Sequence, residues 1–592
     1  MKQTLIFDLE IYRDYFLASF LNAETGNVRE FELFDEHPFD VETVLKILSK
    51  YRLVSFNGIS FDMPLLAMAL TGADNALLKK GCDTIINNNV RGWQLEKMYN
   101  IRVPKVDHID LIEVAPGIAS LKIYGGRLHC PKLQDLPIDP DASISPAQHE
   151  ELKTYCKNDL ETTLALFHKL EPQIKLREEM GVVYGEDLRS KSDAQIAEIV
   201  IKKQVALLTN EIPTRPEIKA GAAFKYRAPE YIQFQTLELM ETQAMVEHAK
   251  FILADSGKII EPAEFKKATV AMGNSIYKLG IGGLHSTEKS TAHFADNDTL
   301  LIDRDVASYY PAIILRSRLA PAHIGPAFLT VYRSIVDKRL AAKRSGDTVT
   351  ADALKITING TYGKLGSKWS ALFSPNLLIQ TTLTGQLALL MLIEMLELEG
   401  IPVVSANTDG VVIKCPTVKA DMMENIVTAW ELVTGFDTEA TQYRAIFNRD
   451  VNNFIALKDK GYKCKGAYAP AGLSKNPTNE ICTTAVINFL QTGVLLAKTI
   501  TECRDIRAFV TIRQVKGGAV DQRGNYLGKA ARWYYAKGVE GVIRYKVNNY
   551  TVARTEGARP LMELPDALPD DIDYQWYINE CESMLKALGV KI

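Results

Sequence analysis

LLIDRDVASYYP, residues 300–311, is an apolar run that carries acids inside it and ends in a Tyr-Tyr-Pro turn. Its β-rich composition reads as a strand, and burial of such a strand leaves Asp305 without a reason unless something positive meets it. IPVVSANTDGVVIKC, residues 401–415, repeats the pattern with Asp409. Between the two, 327–345, 350–364 and 376–400 carry helical periodicity. Two acid-bearing strands therefore bracket a helical insert, and in Lys355-Ile356-Thr357-Ile358-Asn359 the lysine and asparagine fall on one helix face.

Further toward the N-terminus, TLIFDLEIY and YFLASFL read as strands, VETVLKILSKY as a helix and LVSFNG as a third strand, an α/β layout around a mixed sheet. SPAQHEELKTYCKNDLETTLALFHKL reads as one long helix with Ser145 as N-cap before Pro146. Asp8 and Glu10 lie two apart on the first strand, so their side chains share a face and repel unless cations neutralise them. Asp62 closes the run Asn57-Gly58-Ile59-Ser60-Phe61-Asp62, and Tyr155 and Asp159 stand four apart on the long helix. Four acids converging in this way can hold two Mg²⁺ or Mn²⁺, with a tyrosine hydroxyl orienting the attacking water.

A chain of 592 residues is long enough for three or four domains. Its composition, 47% hydrophobic and 24% charged, is that of a folded protein and excludes disordered and fibrous classes. The eight cysteines lack CxxC spacing, which argues against a zinc site or a disulfide framework. No basic-then-apolar leader and no uncharged apolar run of membrane length are apparent, so the expectation is a cytoplasmic protein with no membrane partner. The net charge of −3 is uninformative, but 333–368 holds eight Lys/Arg against three Asp/Glu and 504–554 eleven against three, enough to follow phosphates. Residues 562–582 carry seven acids and no base, and this stretch is expected to face solvent or a basic partner.

The ordered set D-x-E, N-x-x-x-F-D and Y-x-x-x-D resembles the three exonuclease motifs of proofreading DNA polymerases. DVASYYP (305–311), KITINGTYG (355–363) and SANTDG (405–410) resemble motifs A, B and C of family B DNA polymerases. The resemblance implies a multidomain α/β and α+β protein, a ribonuclease H-like exonuclease domain followed by a right-hand palm, fingers and thumb. The implied divisions are 1–190 exonuclease, 191–275 an intervening linker, 276–325 palm, 326–372 fingers, 373–450 palm and 451–592 thumb and C-terminal region. It implies Asp8, Glu10, Asp62 and Asp159 as metal ligands with Tyr155 positioning the nucleophile, and Asn57, Phe61, Ser120, Leu121, Lys122 and an auxiliary Lys132 on the single strand. Asp107 and Asp110 are expected to be structural.

In the synthetic half it implies Asp305, Asp409 and the main chain of Val306 as metal ligands. Ser308, Tyr309, Tyr310, Arg339, Lys343, Lys355 and Asn359 would bind the nucleotide, Tyr310 against its sugar where a 2′-OH would clash. Gly282, Gly283, Tyr362, Gly363, Thr408 and Lys465 would contact DNA, with Gly360 and Gly363 leaving room for the nascent base pair. Cofactors would be two Mg²⁺ per site, replaceable by Mn²⁺. Partners would be primer-template DNA, single-stranded 3′ ends and dNTPs, met by a monomer helped by a helicase, single-strand-binding protein or clamp. The compact size is similar to that of a phage or plasmid replicase, which implies the host cytoplasm.

The sequence departs from the family at several places. Ser405, Asn407 and Gly410 replace Tyr, Asp and Ser of motif C, Gly280 replaces the tyrosine of Y-x-G-G, and Gln386 replaces the arginine of T-x-x-G-R. Asn452-Asn453-Phe454 falls where K-x-Y holds the primer terminus, leaving that lysine to Lys463 or Lys465. The competing classes are a nuclease whose synthetic half is inactive and a DNA-binding scaffold.

Overall fold

TLIFDLEI forms the strand Thr4–Ile11, whose apolar positions are buried while Asp8 stays partly open. The computed structural model describes residues 2–35 and 37–591, and the chain divides into two compact units. The first gathers the chain up to Ser192 with Pro470–Ala485 and Val494–Asn579; the second holds Asp193–Ala469, Val486–Gly493 and the chain from Glu580. The stretch 451–592, expected as one C-terminal division, is thus shared between the units.

In the first unit five strands run in the order Val28–Leu33, Phe16–Asn22, Thr4–Ile11, Arg52–Ser55, Asp107–Asp110. The first three pair antiparallel and the last three parallel, which is the mixed sheet expected of this region. The helix Pro146–Tyr184 begins at the expected cap, where Ser145 and Gln148 form a reciprocal capping box. It lies against the two central strands and so carries Tyr155 and Asp159 to the strand bearing Asp8 and Glu10. Phe7, Phe20, Leu53, Leu65 and Leu66 fill the core on one side of the sheet. A second sheet, Arg544–Tyr545, Thr511–Val520, Tyr526–Tyr535, Ala558–Pro560, belongs to the same unit. The acidic stretch as far as Asn579 is anchored there, with Glu563, Asp566 and Asp570 exposed: Asp571 accepts from the Tyr534 hydroxyl (2.8 Å) and pairs with Arg559 (2.9 Å), and the buried Tyr577 hydroxyl donates to Phe509 O (2.8 Å).

The second unit is built on seven strands in the order Thr438–Tyr443, Thr299–Val306, Gly410–Pro416, Val403–Asn407, His285–Ser286, Ser275–Lys278, Thr269–Met272. Both acid-bearing runs join one sheet, the first as a single strand and the second, read from sequence as one strand, as a hairpin of two strands with Asp409 in its turn. The intervening helices are Tyr309–Arg316, Pro326–Ser345, Thr348–Leu365 and Pro375–Leu398. The last is long and apolar enough to cross a membrane, contrary to the expectation that no such run exists, but 89% of its apolar window is buried inside the protein. It is the core helix of this unit.

The supposed linker also contributes. Its helix Asp193–Thr209 packs along Thr348–Leu365. A Cβ on Gly360 would come 2.6 Å from Asp193 O and 2.7 Å from the Ala197 Cβ. Gly360 is thus small because two helices meet there, whereas Gly363 faces open space.

Candidate active sites

In the first unit the strand register places Asp8 opposite Ser19 and Glu10 opposite Leu17, so both carboxyls leave the same face. Asp62 is the first residue of the helix Asp62–Leu70, and one of its carboxyl oxygens is buried with no hydrogen-bond partner. Oxygens of Asp8 and Glu10 lie within 4.8 Å of each other and of the Cys156 sulfur. Burial, and then the Asp159 charge, lifts the Asp8 carboxyl to about 7. Burial and then Asp8 push Glu10 and Asp62 well above the usual carboxylate range. Three carboxyls each raised by burial and then by a neighbouring acid are a set short of positive charge.

One cation is present: the Lys122 ammonium rests on both oxygens of Asp159 and lies 4.3 Å from the Tyr155 ring centroid. Tyr155 also donates to Asp159, and its phenol, lifted far by burial and then by Asp159, stays protonated. The lysine of this cluster is thus Lys122. Lys132, expected in that role, sits in a backbone bridge with Glu563. Ser120 caps the helix Leu121–Arg127 by accepting from Ile123 N, and Leu121 packs into the core.

Asn57 adopts positive φ, which a small polar residue tolerates. Its turn is held by Asp110, which is buried and accepts from Asn57 N (2.7 Å) and Ile59 N (2.9 Å). Asp107 pairs with Arg189 (2.6 Å). Both are structural, as expected. Phe61 precedes the Asp62 helix and packs partly into the core.

In the second unit Asp305 faces Gly410 across the ladder, and the Val306 amide donates to Asp409 O (2.7 Å). Asp409 lies in the hairpin turn after Thr408, whose φ is +61°. A Cβ on Gly410 would run into the Asp305 carboxylate, which explains glycine where the family has serine. Gly283 is equally constrained, since its Cβ would meet the Thr408 Cα at 2.9 Å. Burial and then Asp305 raise the Asp409 carboxyl.

The sequence reading missed Asp303, although Asp303-Arg304-Asp305 puts two acids on one strand face. Asp303 is buried, accepts from the Tyr443 hydroxyl, and shares Lys463 with Asp305 at 3.0 and 3.2 Å. The Lys463 ammonium is strengthened despite burial because both carboxylates face it; burial weakens that of Lys465, with Asp409 opposing. The two lysines expected to replace K-x-Y therefore both stand at the acids, on the strand Tyr462–Lys465.

Tyr310 stacks on Tyr362 (centroids 4.1 Å, 16°) and donates to Gly282 O (2.9 Å). Tyr309, expected at the nucleotide, is buried beneath it and donates to Gly385 O (2.6 Å), so it supports the floor and presents nothing to solvent. Arg339 donates to the Ser308 hydroxyl (3.1 Å), while Lys343, Lys355 and Asn359 are exposed.

Residues that depart from the motifs this sequence resembles bond to one another in two pairs. The Asn407 amide donates to Val451 O (2.7 Å) and to the Asn452 side chain (3.3 Å), bonds an aspartate could not make. Gln386, buried, donates to Gly280 O (2.6 Å) and accepts from Gly280 N (3.0 Å).

No family model and no curated protein matches this sequence. Among solved structures, the chain is similar to the family B DNA polymerase from the hyperthermophilic archaeon Pyrobaculum calidifontis, at 15% identity, covering 100% of this chain and 79% of that chain with a TM-score of 0.42.

Proposed function

We propose that the chain is a DNA-directed DNA polymerase with its own 3′→5′ proofreading exonuclease, the first unit a ribonuclease H-like nuclease and the second a palm with helical fingers. The observation that carries this reading is the presence of two carboxylate sets, Asp8/Glu10/Asp62/Asp159 and Asp303/Asp305/Asp409, each inside its own compact unit and each met by lysine. Both sets fit hard divalent cations: burial and then Asp8 raise Glu10 and Asp62, burial and then the Asp305 charge raise Asp303 and Asp409, an Asp62 oxygen is buried and unpaired, and lysine ammoniums stand against the oxygens. Asp8, Glu10, Asp62 and Asp159 would hold Mg²⁺ or Mn²⁺ in one unit, and Asp305, Asp409 and the Val306 carbonyl in the other. When bound, such cations supply activation of a hydroxyl or water and neutralise the leaving oxygen of a phosphodiester.

The chain's own residues supply the rest. The Tyr310–Tyr362 stack forms a rigid wall pinned to Gly282, placed to exclude a ribose 2′-OH. Arg339, Lys343 and Lys355 offer cationic donors to a triphosphate, Arg339 held by Ser308. Protonated Tyr155 offers a hydrogen bond beside Asp159, where it would orient water. Substrates on this reading are primer-template DNA, dNTPs and single-stranded 3′ ends. Primer extension by the purified chain with dNTPs and Mg²⁺, with a parallel degradation assay on the unextended primer, tests both activities. Degradation without extension would leave a nuclease alone, and neither would leave a scaffold.

A further inference from the structure

The basic excess at 504–554, enough to follow phosphates, lies on the hairpin Thr511–Val520/Tyr526–Tyr535 and its loops, in the unit that holds the first acid set. The helix Leu121–Arg127 links the two. It carries Lys122, whose ammonium rests on Asp159, and it packs on both hairpin strands, with Gly126 so close that a Cβ would lie 2.7 Å from the Ile512 side chain. Arg532, buried in the hairpin, donates to Cys130 O and Pro131 O (both 2.9 Å) just beyond that helix. Asp135 joins them a second time: it accepts from the Tyr526 hydroxyl (2.8 Å) and Lys529 N (3.0 Å), and its charge is felt at Tyr155 and Asp159.

On this hairpin Tyr526 is 42% exposed, with the Lys546 ammonium 4.5 Å from its ring centroid, and Tyr550 is 73% exposed on the adjoining turn. Lys516, Arg523, Lys529 and Arg544 are exposed on the same small sheet and its loops. The backbone is shaped for this arrangement. Gly518 and Gly528 have positive φ; a Cβ on the first would lie 2.5 Å from the Tyr526 ring, and one on the second 2.9 Å from the Asp135 Cβ. Glycine at these two positions lets the Tyr526 ring come close to the backbone at 518 and Asp135 to that at 528.

We propose that Tyr526, Tyr550 and Lys546 form a stacking ledge for unpaired nucleotides of a single strand whose 3′ end reaches the Asp8/Glu10/Asp62/Asp159 set. Aromatic rings beside mobile cations suit single strands, because bases stack on the rings whatever their identity while the cations follow the phosphates. A duplex hides its base faces and would use only the cations. The proposal rests on the nuclease reading of that acid set.

The test is equilibrium binding of labelled oligo(dT), and separately of a blunt duplex, to the full-length chain in EDTA, read by fluorescence anisotropy. Tyr526→Leu should weaken oligo(dT) binding about tenfold and Tyr526→Phe by about twofold or less, since the ring does the stacking. Lys546→Gln should lower the salt slope for oligo(dT) by about 0.7. Unchanged oligo(dT) affinity in Tyr526→Leu, or an equal loss on the duplex, overturns the ledge. Should Tyr526→Leu misfold through loss of the Asp135 bond, Tyr550→Ser on the exposed turn carries the same decision: about tenfold weaker oligo(dT) binding supports the ledge, and parental affinity overturns it. Parent protein that binds oligo(dT) through Tyr526 but leaves it uncut with Mg²⁺ overturns the nuclease reading and keeps the ledge.

Discussion

At the scale of single residues, the two acid sets make separable claims. Asp409→Ala should lower primer extension by at least about a hundredfold, the order lost when a group stabilising transition-state charge is removed, and keep degradation of single strands. Asp8→Ala with Glu10→Ala should do the reverse. Loss of both activities in either folded variant would defeat the two-site reading. Spacing put Asp8 beside Glu10 on a strand and Tyr155 beside Asp159 on a helix, while Asp62, Asp305 and Asp409 were singled out by the motifs they resemble. Asp303 was not read at all, and Lys122 was read only as part of a strand-binding run, without its pairing to Asp159. A lysine or an extra aspartate gains meaning only from what it meets, and Asp159 lies 37 residues from Lys122 and Tyr443 140 residues from Asp303.

At the scale of elements, the departures from family motifs are explained by pairing between segments. Gln386 on the core helix closes a two-way bond with Gly280, so restoring the family residue with Gln386→Arg should harm the protein. Arginine has no acceptor for Gly280 N and would bury an unpaired charge, a cost on the order of 3 kcal/mol that thermal unfolding would register. A variant as stable as the parent would mean that the loop moves to solvate the guanidinium. The first sheet makes a pH claim. The Asp8 carboxyl titrates near 7 in the folded chain against 3.8 ordinarily, so between those values the folded state holds more protons than the unfolded. Without metal, stability contributed by this set should therefore fall as pH rises from about 4 to 7 and stay low above it, and Mg²⁺ should restore it most at pH 8. Calorimetry in EDTA and in Mg²⁺ at pH 6 and 8 decides this; equal melting temperatures in EDTA at both would contradict it.

At the scale of the whole chain, length sets a limit on what the synthetic unit can do alone. Only 50 positions separate Asp305 from Lys355 and 48 separate Asn359 from Asn407. The helices Tyr309–Arg316, Pro326–Ser345, Thr348–Leu365 and Pro375–Leu398 take up most of both intervals. No length remains for an insertion that encircles the template, so on the proposed polymerase reading the chain should extend ordinary primers and stall at downstream duplex unless a helicase, single-strand-binding protein or clamp assists. Multi-kilobase strand displacement by the chain alone, on a singly primed circle with trap DNA, would refute this. The sequence by itself determined the strands, the long helix with its Ser145 cap, and six of the seven acids, since periodicity, caps and motif spacing are local properties of the chain. Only the tertiary structure decided that 193–209 braces the helix carrying Lys355, that 494–579 joins the unit bearing Asp8 and Glu10, and that Lys122 meets Asp159 while Lys463 meets Asp303 and Asp305. Those outcomes depend on which distant surfaces bury each other, and apolar burial favours contact without naming the partner.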